Sequence, residues 1–270
     1  MLDKRIFQIG NIVAVILTII VNSLANALPI GGKTTGELSD NIPNLFVPAG
    51  ITFAIWGVIY FLIILFAIYQ ARDLFRKEKI DMPYLEKISF FFISASLSNI
   101  IWIFLWHYEQ IILSLLLMLV LFVSLLMIYL RLDIGKNPLS VKDKFMIHVP
   151  ISVYIGWITI ATVANMTAAL VSINWDGFGI SGQIWTVLVI IIAAIITLLM
   201  LITRKDCAYA AVVIWAFLGI YLKRSANDPI FGMQNQIAYI ALICIFTILI
   251  VMLYSFYNKY KYYKKENMLL

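Results

Sequence analysis

The sequence predicts an all-α integral membrane protein with about eight transmembrane helices. Hydrophobic residues occupy 63% of the 270 positions and charged residues only 13%, which is about half the charged share of a soluble domain. Apolar runs long enough to cross a bilayer recur from one end of the chain to the other. The basic residues form short clusters between these runs, as in membrane proteins, so the net charge of +6 does not indicate nucleic-acid binding.

Eight predicted spans account for the apolar runs, and the seventh is the shortest. They cover residues 6–28, 47–70, 88–107, 110–130, 146–170, 183–203, 207–222 and 234–258. With this count, 17 of the 20 lysines and arginines fall on one side of the membrane, and only Lys33, Lys223 and Arg224 fall on the other. This asymmetry predicts a multi-pass protein of the cell membrane with both termini in the cytoplasm.

The first span raises a question of processing. It follows Lys4 and Arg5 and ends in Ala25-Asn26-Ala27, a small-x-small sequence of the kind that signal peptidases cleave. Its apolar run is slightly longer than a usual signal-peptide core, and Asn22 and Asn26 repeat at helical spacing. The sequence therefore favours a retained helix that faces other helices, with cleavage as the alternative.

The loop after the first span, from about Pro29 to Val47, is rich in glycine and proline. Such a segment either covers a site that opens between helices or serves as a plain connector. The residues alone leave both interpretations open.

Aromatic and amide side chains recur at helical spacing in three of the spans. The fifth span places Tyr154, Trp157, Ala161 and Asn165 on one helix face. The pattern repeats with Phe53, Trp56 and Tyr60 in the second span and with Asn99, Trp102 and Trp106 in the third. Because an amide in hydrocarbon is costly without a partner, we expect these faces to converge on a shared cavity. For any single residue, an interfacial aromatic belt or a contact between helices is the structural alternative.

Acid-base and metal chemistry have no visible apparatus. No Asp, Glu, Lys or Arg lies inside a predicted span, which disfavours proton-coupled carriers, ion pumps and voltage sensors. His107 and His148 fall on opposite sides of the membrane, and Cys207 and Cys244 show no metal-binding or disulfide spacing. We therefore expect no catalytic residues, no metal site and no required cofactor, which favours a protein that is not an enzyme.

Three motifs resemble those of the TspO/MBR family, the tryptophan-rich sensory proteins or translocator proteins. They occur in the family's order: Pro48-Ala49-Gly50-Ile51-Thr52-Phe53-Ala54-Ile55-Trp56 through Tyr60, Asn99-x-x-Trp102-x-x-x-Trp106, and Tyr154-x-x-Trp157-x-x-x-Ala161-x-x-x-Asn165. Phe53 and Trp56 stand one residue closer than in the usual motif, and Val153 replaces the usual proline. The resemblance covers about residues 5–172. It implies a TspO-like five-helix domain at 1–172, followed by three additional membrane helices of unknown role at 173–270.

The resemblance implies a pocket between helices 2, 3 and 5 that is covered by the loop after the first helix. The ligand-binding residues that it implies are Trp56, Asn99, Trp102, Tyr154, Trp157, Ala161 and Asn165. The expected function is that of a membrane receptor or sensor for a planar hydrophobic ligand, either a porphyrin or another tetrapyrrole, or a sterol-like molecule. The alternatives are a light-dependent porphyrin-degrading enzyme and a facilitator that transports a lipid-soluble molecule.

The expected partners are this small hydrophobic ligand and the lipid membrane, with a bound porphyrin as the candidate. Exposed small residues such as Ala164 and Ala168 would permit close helix contact between subunits, which leaves a homo-oligomer open.

Overall fold

The computed structural model describes residues 3–28, 30–136, 139–227, 230 and 232–266, with side chains described as far as residue 255 and at residue 257. The helices follow the chain as α1 (Lys4–Ala27), α2 (Thr35–Asn41), α3 (Ile55–Gln70), α4 (Pro83–Ile88), α5 (Phe91–His107), α6 (Ile111–Arg131), α7 (Val141–Asp143), α8 (Val149–Ser172), α9 (Gly182–Arg204), α10 (Cys207–Ser225) and α11 (Asn235–Glu266). The 3-10 turn Gly50–Ala54 leads directly into α3, and the π turn Lys144–His148 joins α7 to α8.

Eight of these helices correspond to the eight predicted spans. Seven stretches are long and apolar enough to cross a membrane: Lys4–Ala27, Gly50–Gln70, Ile111–Arg131, Val141–Ser172, Gly182–Arg204, Cys207–Ser225 and Asn235–Ser255. The eighth, α5, is apolar and 17 residues long. Within the described residues, the predicted fold class is confirmed: the chain is an all-α multi-pass membrane protein with seven or eight spanning helices.

The start of α5 differs from the prediction, which began this span at residue 88. The chain turns sharply at Ser89, where φ is 52° and ψ is −141°, so α4 ends there and α5 starts at Phe91. No helix contains such a conformation. Hydrophobicity alone does not reveal this break, because the residues on both sides of it are apolar.

The helix α8 lies at the centre of the bundle. Of its apolar span, 78% is buried inside the protein, compared with at most 50% in the other six spans. It packs against α3, α6 and α10. Gly156 permits the close approach to α10, since a Cβ at this position would lie 3.2 Å from the carbonyl oxygen of Tyr209.

A buried polar network fixes the start of α1 to the end of α3. The Gln8 side chain donates hydrogen bonds to the carbonyl of Gln70 (2.6 Å) and to a carboxylate oxygen of Asp73 (2.8 Å). Asn11 donates to the side-chain oxygen of Gln70 (2.9 Å), and Lys4 forms an ion pair with Asp73 (2.6 Å). Gln8, Asn11, Gln70 and Asp73 are fully buried. The helix α1 is thus tied to the bundle by polar contacts that compensate for the cost of burying these groups.

The helix α10 is three residues longer than predicted and includes Lys223 and Arg224 in its last turn. Lys223 forms an ion pair with Asp40 of α2. Arg224 is buried, with 1% of its surface exposed. Cations in the last turn also interact favourably with the helix dipole, which explains why the helix continues past the apolar run.

The buried core continues across residue 172, where the sequence suggests a division between two domains. Buried residues of α8, such as Trp157 and Ile158, belong to the same cluster as Val213, Phe217 and Ile248 of the last helices. The division into a five-helix domain at 1–172 and three additional helices at 173–270 remains a prediction, and the described residues of both parts share one core.

Candidate functional site

The aromatic faces of α3 and α8 meet around Trp157. The ring centroid of Trp157 lies 5.8 Å from that of Phe53 and 6.3 Å from that of Trp56, both in edge-to-face geometry. Trp56 also stacks on Tyr60 at 5.6 Å and meets the edge of Tyr154 at 6.1 Å. The distances are those of favourable aromatic pairs, so the two faces turn toward each other.

The third face, on α5, joins the same group. Trp102 and Trp106 are stacked at 5.9 Å with an interplanar angle of 21°. The indole nitrogen of Trp102 donates a 2.9 Å hydrogen bond to the side-chain oxygen of Asn165 on α8. The indole nitrogen of Trp106 donates a longer bond, 3.4 Å, to the carbonyl of Thr35.

The three faces enclose a cavity, which we call the aromatic site. Its lining residues are Thr35, Ser39, Ile42, Val47 and Pro48 from the loop after α1, Phe53 and Trp56 at the start of α3, Trp102 and Trp106 on α5, and Trp157, Ile160, Ala161, Ala164, Asn165 and Ala168 on α8. Five of the seven predicted ligand-binding residues line it: Trp56, Trp102, Trp157, Ala161 and Asn165.

The volume of the aromatic site is about 40 Å³. This is room for a few water molecules and is far below the roughly 300–1,000 Å³ of sites that hold a drug-sized ligand. The cavity is therefore too small for a planar ligand the size of a porphyrin, which needs the walls to move apart.

Residues 30–48, which we call the lid segment, form one wall of the cavity. Five residues of this segment line the cavity. Asn44 holds the lid to α8 by donating to the carbonyl of Ala164 (3.2 Å) and to the hydroxyl of Thr167 (2.8 Å). Lys223 of α10 pairs with Asp40, and Lys33 lies 3.6 Å from Glu109 in an exposed ion pair. The loop thus covers the site; Pro29, its expected first residue, lies outside the described residues.

The short helix α2 within the lid segment is stabilised by a capping box. The hydroxyl of Thr34 accepts a hydrogen bond from the backbone N–H of Glu37, and the Glu37 carboxylate accepts one from the backbone N–H of Thr34. The bonds from the Thr34 backbone and hydroxyl lower the pKa of the Glu37 carboxyl. Since such a box satisfies two helix-end donors within the segment, the lid can keep its own shape when it moves.

Two predicted residues, Asn99 and Tyr154, do not line the cavity. Asn99 is fully buried, and its side-chain oxygen accepts a 2.7 Å hydrogen bond from Asn22 of α1. This confirms that Asn22 faces another helix, whereas the amide of Asn26 donates to the carbonyl of Asn22 on its own helix. The ring of Tyr154 packs against Trp56, which lines the cavity.

Two buried polar atoms of the lining residues have no hydrogen-bond partner among the described residues. They are the indole nitrogen of Trp157 and the hydroxyl of Thr35. The hydroxyl of Tyr154 and the amide nitrogen of Asn99, behind the lining, are also unpaired. Leaving a buried donor unpaired costs about 1–3 kcal/mol. A ligand or water that accepts from Trp157 and Thr35 would recover that energy.

Some lining residues were not predicted as ligand contacts. The sequence places Trp106 on the same face as Trp102, with an interfacial aromatic as the alternative, and the predicted ligand-binding residues do not include it. Ala164 and Ala168 were expected as exposed residues for contacts between subunits. That expectation is wrong for these residues, because both line the cavity and Ala168 is 1% exposed. Their small size leaves room opposite the tryptophans.

The helix α10 contacts the residues that lead into α3. The indole nitrogen of Trp215 donates to the carbonyl of Thr52 (2.9 Å), and the backbone N–H of Ala49 donates to the carbonyl of Gly219 (3.0 Å). A Cβ on Gly219 would lie only 1.9 Å from the hydroxyl oxygen of Thr52. The additional helices therefore hold the residues that immediately precede Phe53.

The histidines lie where the sequence predicts, one at each end of the bundle. The ring of His107 is 2.8 Å from the carbonyl of Ile103 near the lid segment, and His148 is buried at the start of α8. Across the described residues, no group of three or more His, Cys, Asp or Glu side chains is placed to hold a metal ion.

Comparison with known proteins adds a family assignment. The family model described as TSPO-like protein matches residues 8–254 and thus extends across all eight predicted spans. No curated protein and no solved structure matches the chain. Because the match covers most of the 270 residues, the chain belongs to the TSPO-like protein family.

Proposed function

We propose that this protein is a membrane receptor or sensor that binds a planar hydrophobic ligand at the aromatic site, between α3, α5 and α8. The ligand class is a porphyrin or another tetrapyrrole, or a sterol-like molecule. One observation carries the proposal: indole rings from three separate helices converge under residues 30–48, and the N–H of the central one, Trp157, is buried and has no partner among the described residues.

The composition of the wall supports binding over acid-base catalysis. The lining side chains are aromatic, aliphatic, hydroxyl and amide groups, and none of them is titratable near neutral pH. Aromatic faces stack on a flat apolar ring, and a small number of donors orient it. Among the described residues, the N–H of Trp157 and the hydroxyl of Thr35 are buried without a partner, so both are donors that can bind an acceptor on the ligand.

Binding requires the lid segment to move, since the closed cavity holds only about 40 Å³. The lid is held by polar contacts at its edge, through Asn44, Asp40 and Lys33. The exposed ion pair of Lys33 contributes little to this closure. A ligand that binds only the open form shifts the population toward it, which is the behaviour expected of a sensor.

The experiment is a titration of the purified full-length protein with protoporphyrin, followed by quenching of tryptophan fluorescence. Trp157→Ala should weaken binding by at least about tenfold, as expected when roughly 1.5 kcal/mol of aromatic contact is lost. Trp185→Ala is the matched control. Trp185 lies in α9, donates to the carbonyl of Gly177 in the turn before this helix, and does not line the site. Equal affinity in both variants would reject the site.

The same complex discriminates a receptor from a porphyrin-degrading enzyme. Electron transfer from an indole requires no titratable side chain, so the lining alone does not separate the two activities. Under illumination a receptor leaves the absorbance of bound protoporphyrin constant, whereas an enzyme bleaches it with turnover. Constant absorbance is the result that we expect.

We further propose that both termini face the cytoplasm. The end of the bundle where α1 begins and α9 ends, called here the basic end, carries 17 of the 20 lysines and arginines of the sequence. The positive-inside rule assigns this end to the cytoplasm. A tag at the C-terminus should resist protease in intact cells and be removed only after permeabilisation.

A further inference from the structure

A second cavity, distinct from the aromatic site, lies at the basic end of the bundle. Its volume is about 830 Å³, within the roughly 300–1,000 Å³ of small-molecule sites. It lies between the start of α8, the turn from α9 to α10, and the end of the α11 span. We call it the basic cavity.

One wall of the basic cavity is built by a close backbone contact. Gly135, after α6, has φ +85°, and a Cβ at this position would lie 1.8 Å from the carbonyl oxygen of Arg204. Arg204 in turn donates to the carbonyl of Ile134 (3.0 Å), and its guanidinium stacks over Tyr129 at 5.2 Å. These contacts hold the end of α9 and its positive charge in place at the cavity.

The cavity carries an excess of positive charge. Lys144, Arg204 and Lys205 line it, and neither lysine has an ion-pair partner among the described residues. The carboxylate that lines it, Asp206, already accepts bonds from Tyr129 (2.9 Å), Ser152 (2.7 Å) and the N–H of Tyr209 (3.1 Å). Two cationic side chains are therefore available for an anion.

The remaining wall is apolar. Leu201 and Ile202 of α9 and Val251 and Tyr254 of α11 line it. Ile202 and Tyr254 are each 65% exposed, in helices that are long and apolar enough to cross a membrane. The cavity thus combines cations at one end of the bundle with an apolar surface that continues along two candidate membrane-spanning helices.

We propose that the basic cavity binds an anionic glycerophospholipid, with its phosphate against Lys144 and Lys205 and its acyl chains along α9 and α11. Cationic pockets between helix ends recognise acidic head groups because the phosphate offers several acceptor oxygens. An apolar ligand without a charge leaves both lysines unpaired, and a free anion leaves the apolar wall uncovered. Since ten of the sixteen lining residues come from α9, α10, α11 and the turn between α9 and α10, the proposal gives residues 173–270 a ligand-binding role.

The experiment measures lipid retention by the delipidated full-length protein in detergent. The protein is titrated with phosphatidylglycerol or phosphatidylcholine, and bound lipid is counted by native mass spectrometry. The natural sequence should prefer phosphatidylglycerol, and the double variant Lys144→Gln/Lys205→Gln should reduce that preference by roughly tenfold. The control is Lys142→Gln, because Lys142 lies at the same end, over the ring of Tyr69, and does not line the cavity.

The outcomes are separable. Loss of the preference in the double variant, with Lys142→Gln and the thermal melting profile unchanged, supports the proposal. An unchanged preference, or an equal loss in Lys142→Gln, overturns it. Displacement of the bound lipid by millimolar inorganic phosphate would also overturn it, because the site would then recognise a free anion. Binding of protoporphyrin at the aromatic site is an independent measurement on the same variants and should not change.

Discussion

The indole N–H of Trp102 donates a 2.9 Å hydrogen bond to the side-chain oxygen of Asn165, which links α5 to α8 through the wall of the aromatic site. The same carboxamide exchanges hydrogen bonds with the hydroxyl of Ser114 on α6, at 3.1 and 3.3 Å. Asn165 therefore holds three helices together, and its polar atoms are already engaged before any ligand enters. Its contribution to the site is to fix the position of Trp102.

Asn165→Leu should destabilise the protein by about 1–2 kcal/mol, because the buried indole N–H of Trp102 loses its partner and the link to the hydroxyl of Ser114 is removed. The measurement is thermal unfolding in detergent. Asn26→Leu is the control, since the Asn26 side chain donates to the carbonyl of Asn22, one turn away on its own helix. Equal melting temperatures for the two variants would contradict the proposed link between helices.

Asn44→Ala should loosen the lid segment. The change removes two hydrogen bonds to α8, which lowers the free energy of opening by about 1 kcal/mol and increases the open population roughly fivefold. The measurement is maleimide labelling of Ser39→Cys, a buried lid position that faces the cavity, in a background in which Cys207 and Cys244 are replaced by serine.

The control for the lid is Lys33→Ala. Lys33 and Glu109 are both exposed and 3.6 Å apart, so the loss of this ion pair should change the labelling rate of residue 39 very little. Labelling that is as fast in Lys33→Ala as in Asn44→Ala would show that the lid moves as a loose loop and that Asn44 does not hold it closed.

The sequence predicts which helix faces converge, but it does not predict at which turn of each helix the cavity lies. Trp56, Trp102 and Trp157 line the cavity, whereas Tyr60, Asn99 and Tyr154 do not, although each lies on the same face. These three residues are one turn farther from the lid segment: α3 starts at the lid, and α5 and α8 end near it.

Helical periodicity defines the direction in which a side chain leaves the helix axis. One turn corresponds to a rise of about 5.4 Å along the axis, which is enough to place a residue outside a small cavity. That depth is set by where the lid segment and α10 pack against the bundle. Contacts such as those of Asn44 with Ala164 and of Gly219 with Thr52 join residues more than 100 positions apart in the sequence. No pattern of neighbouring residues in the sequence predicts these long-range contacts. The eight apolar runs, by contrast, follow from composition and length alone.

Asp73→Asn should reduce the sensitivity of the protein to acid. Burial alone would raise the pKa of the Asp73 carboxyl, but hydrogen bonds from Lys4, Gln8 and the N–H of Ile80, and the charge of Lys4, lower it below its ordinary value. A carboxyl whose pKa is depressed in the folded state stabilises the fold above its unfolded pKa of about 3.9, and this contribution is lost as the pH falls through the folded value.

The natural sequence should therefore melt at a constant temperature at neutral pH and at lower temperatures below about pH 4. Asp73→Asn should have a lower melting temperature at pH 7 and a flatter decline in acid. Asp81→Asn, an exposed position in the same loop, is the control and should follow the natural sequence. Parallel pH profiles for the natural sequence and Asp73→Asn would refute the assigned role of this carboxylate.

The contact between Gly219 and Thr52 couples the last helices to the aromatic site. A Cβ on residue 219 would lie 1.9 Å from the Thr52 hydroxyl and 2.9 Å from the Cβ of Pro48, so the backbone of α10 rests directly on the turn that leads into α3. Thr52 immediately precedes Phe53, whose ring packs on Trp157. A shift of α10 therefore moves the turn that carries Phe53, which is a lining residue of the site.

Gly219→Ala should destabilise the protein by about 1–3 kcal/mol, the usual cost of overpacking a tight contact, and should also weaken protoporphyrin binding. Gly57→Ala is the matched control: it lies within α3, nothing is within 4 Å of its added Cβ, and alanine is favoured over glycine in a helix by about 0.5–1 kcal/mol. The two variants should shift the melting temperature in opposite directions. If Gly219→Ala lowered stability but left the protoporphyrin affinity unchanged, α10 would be a structural support that is uncoupled from the aromatic site.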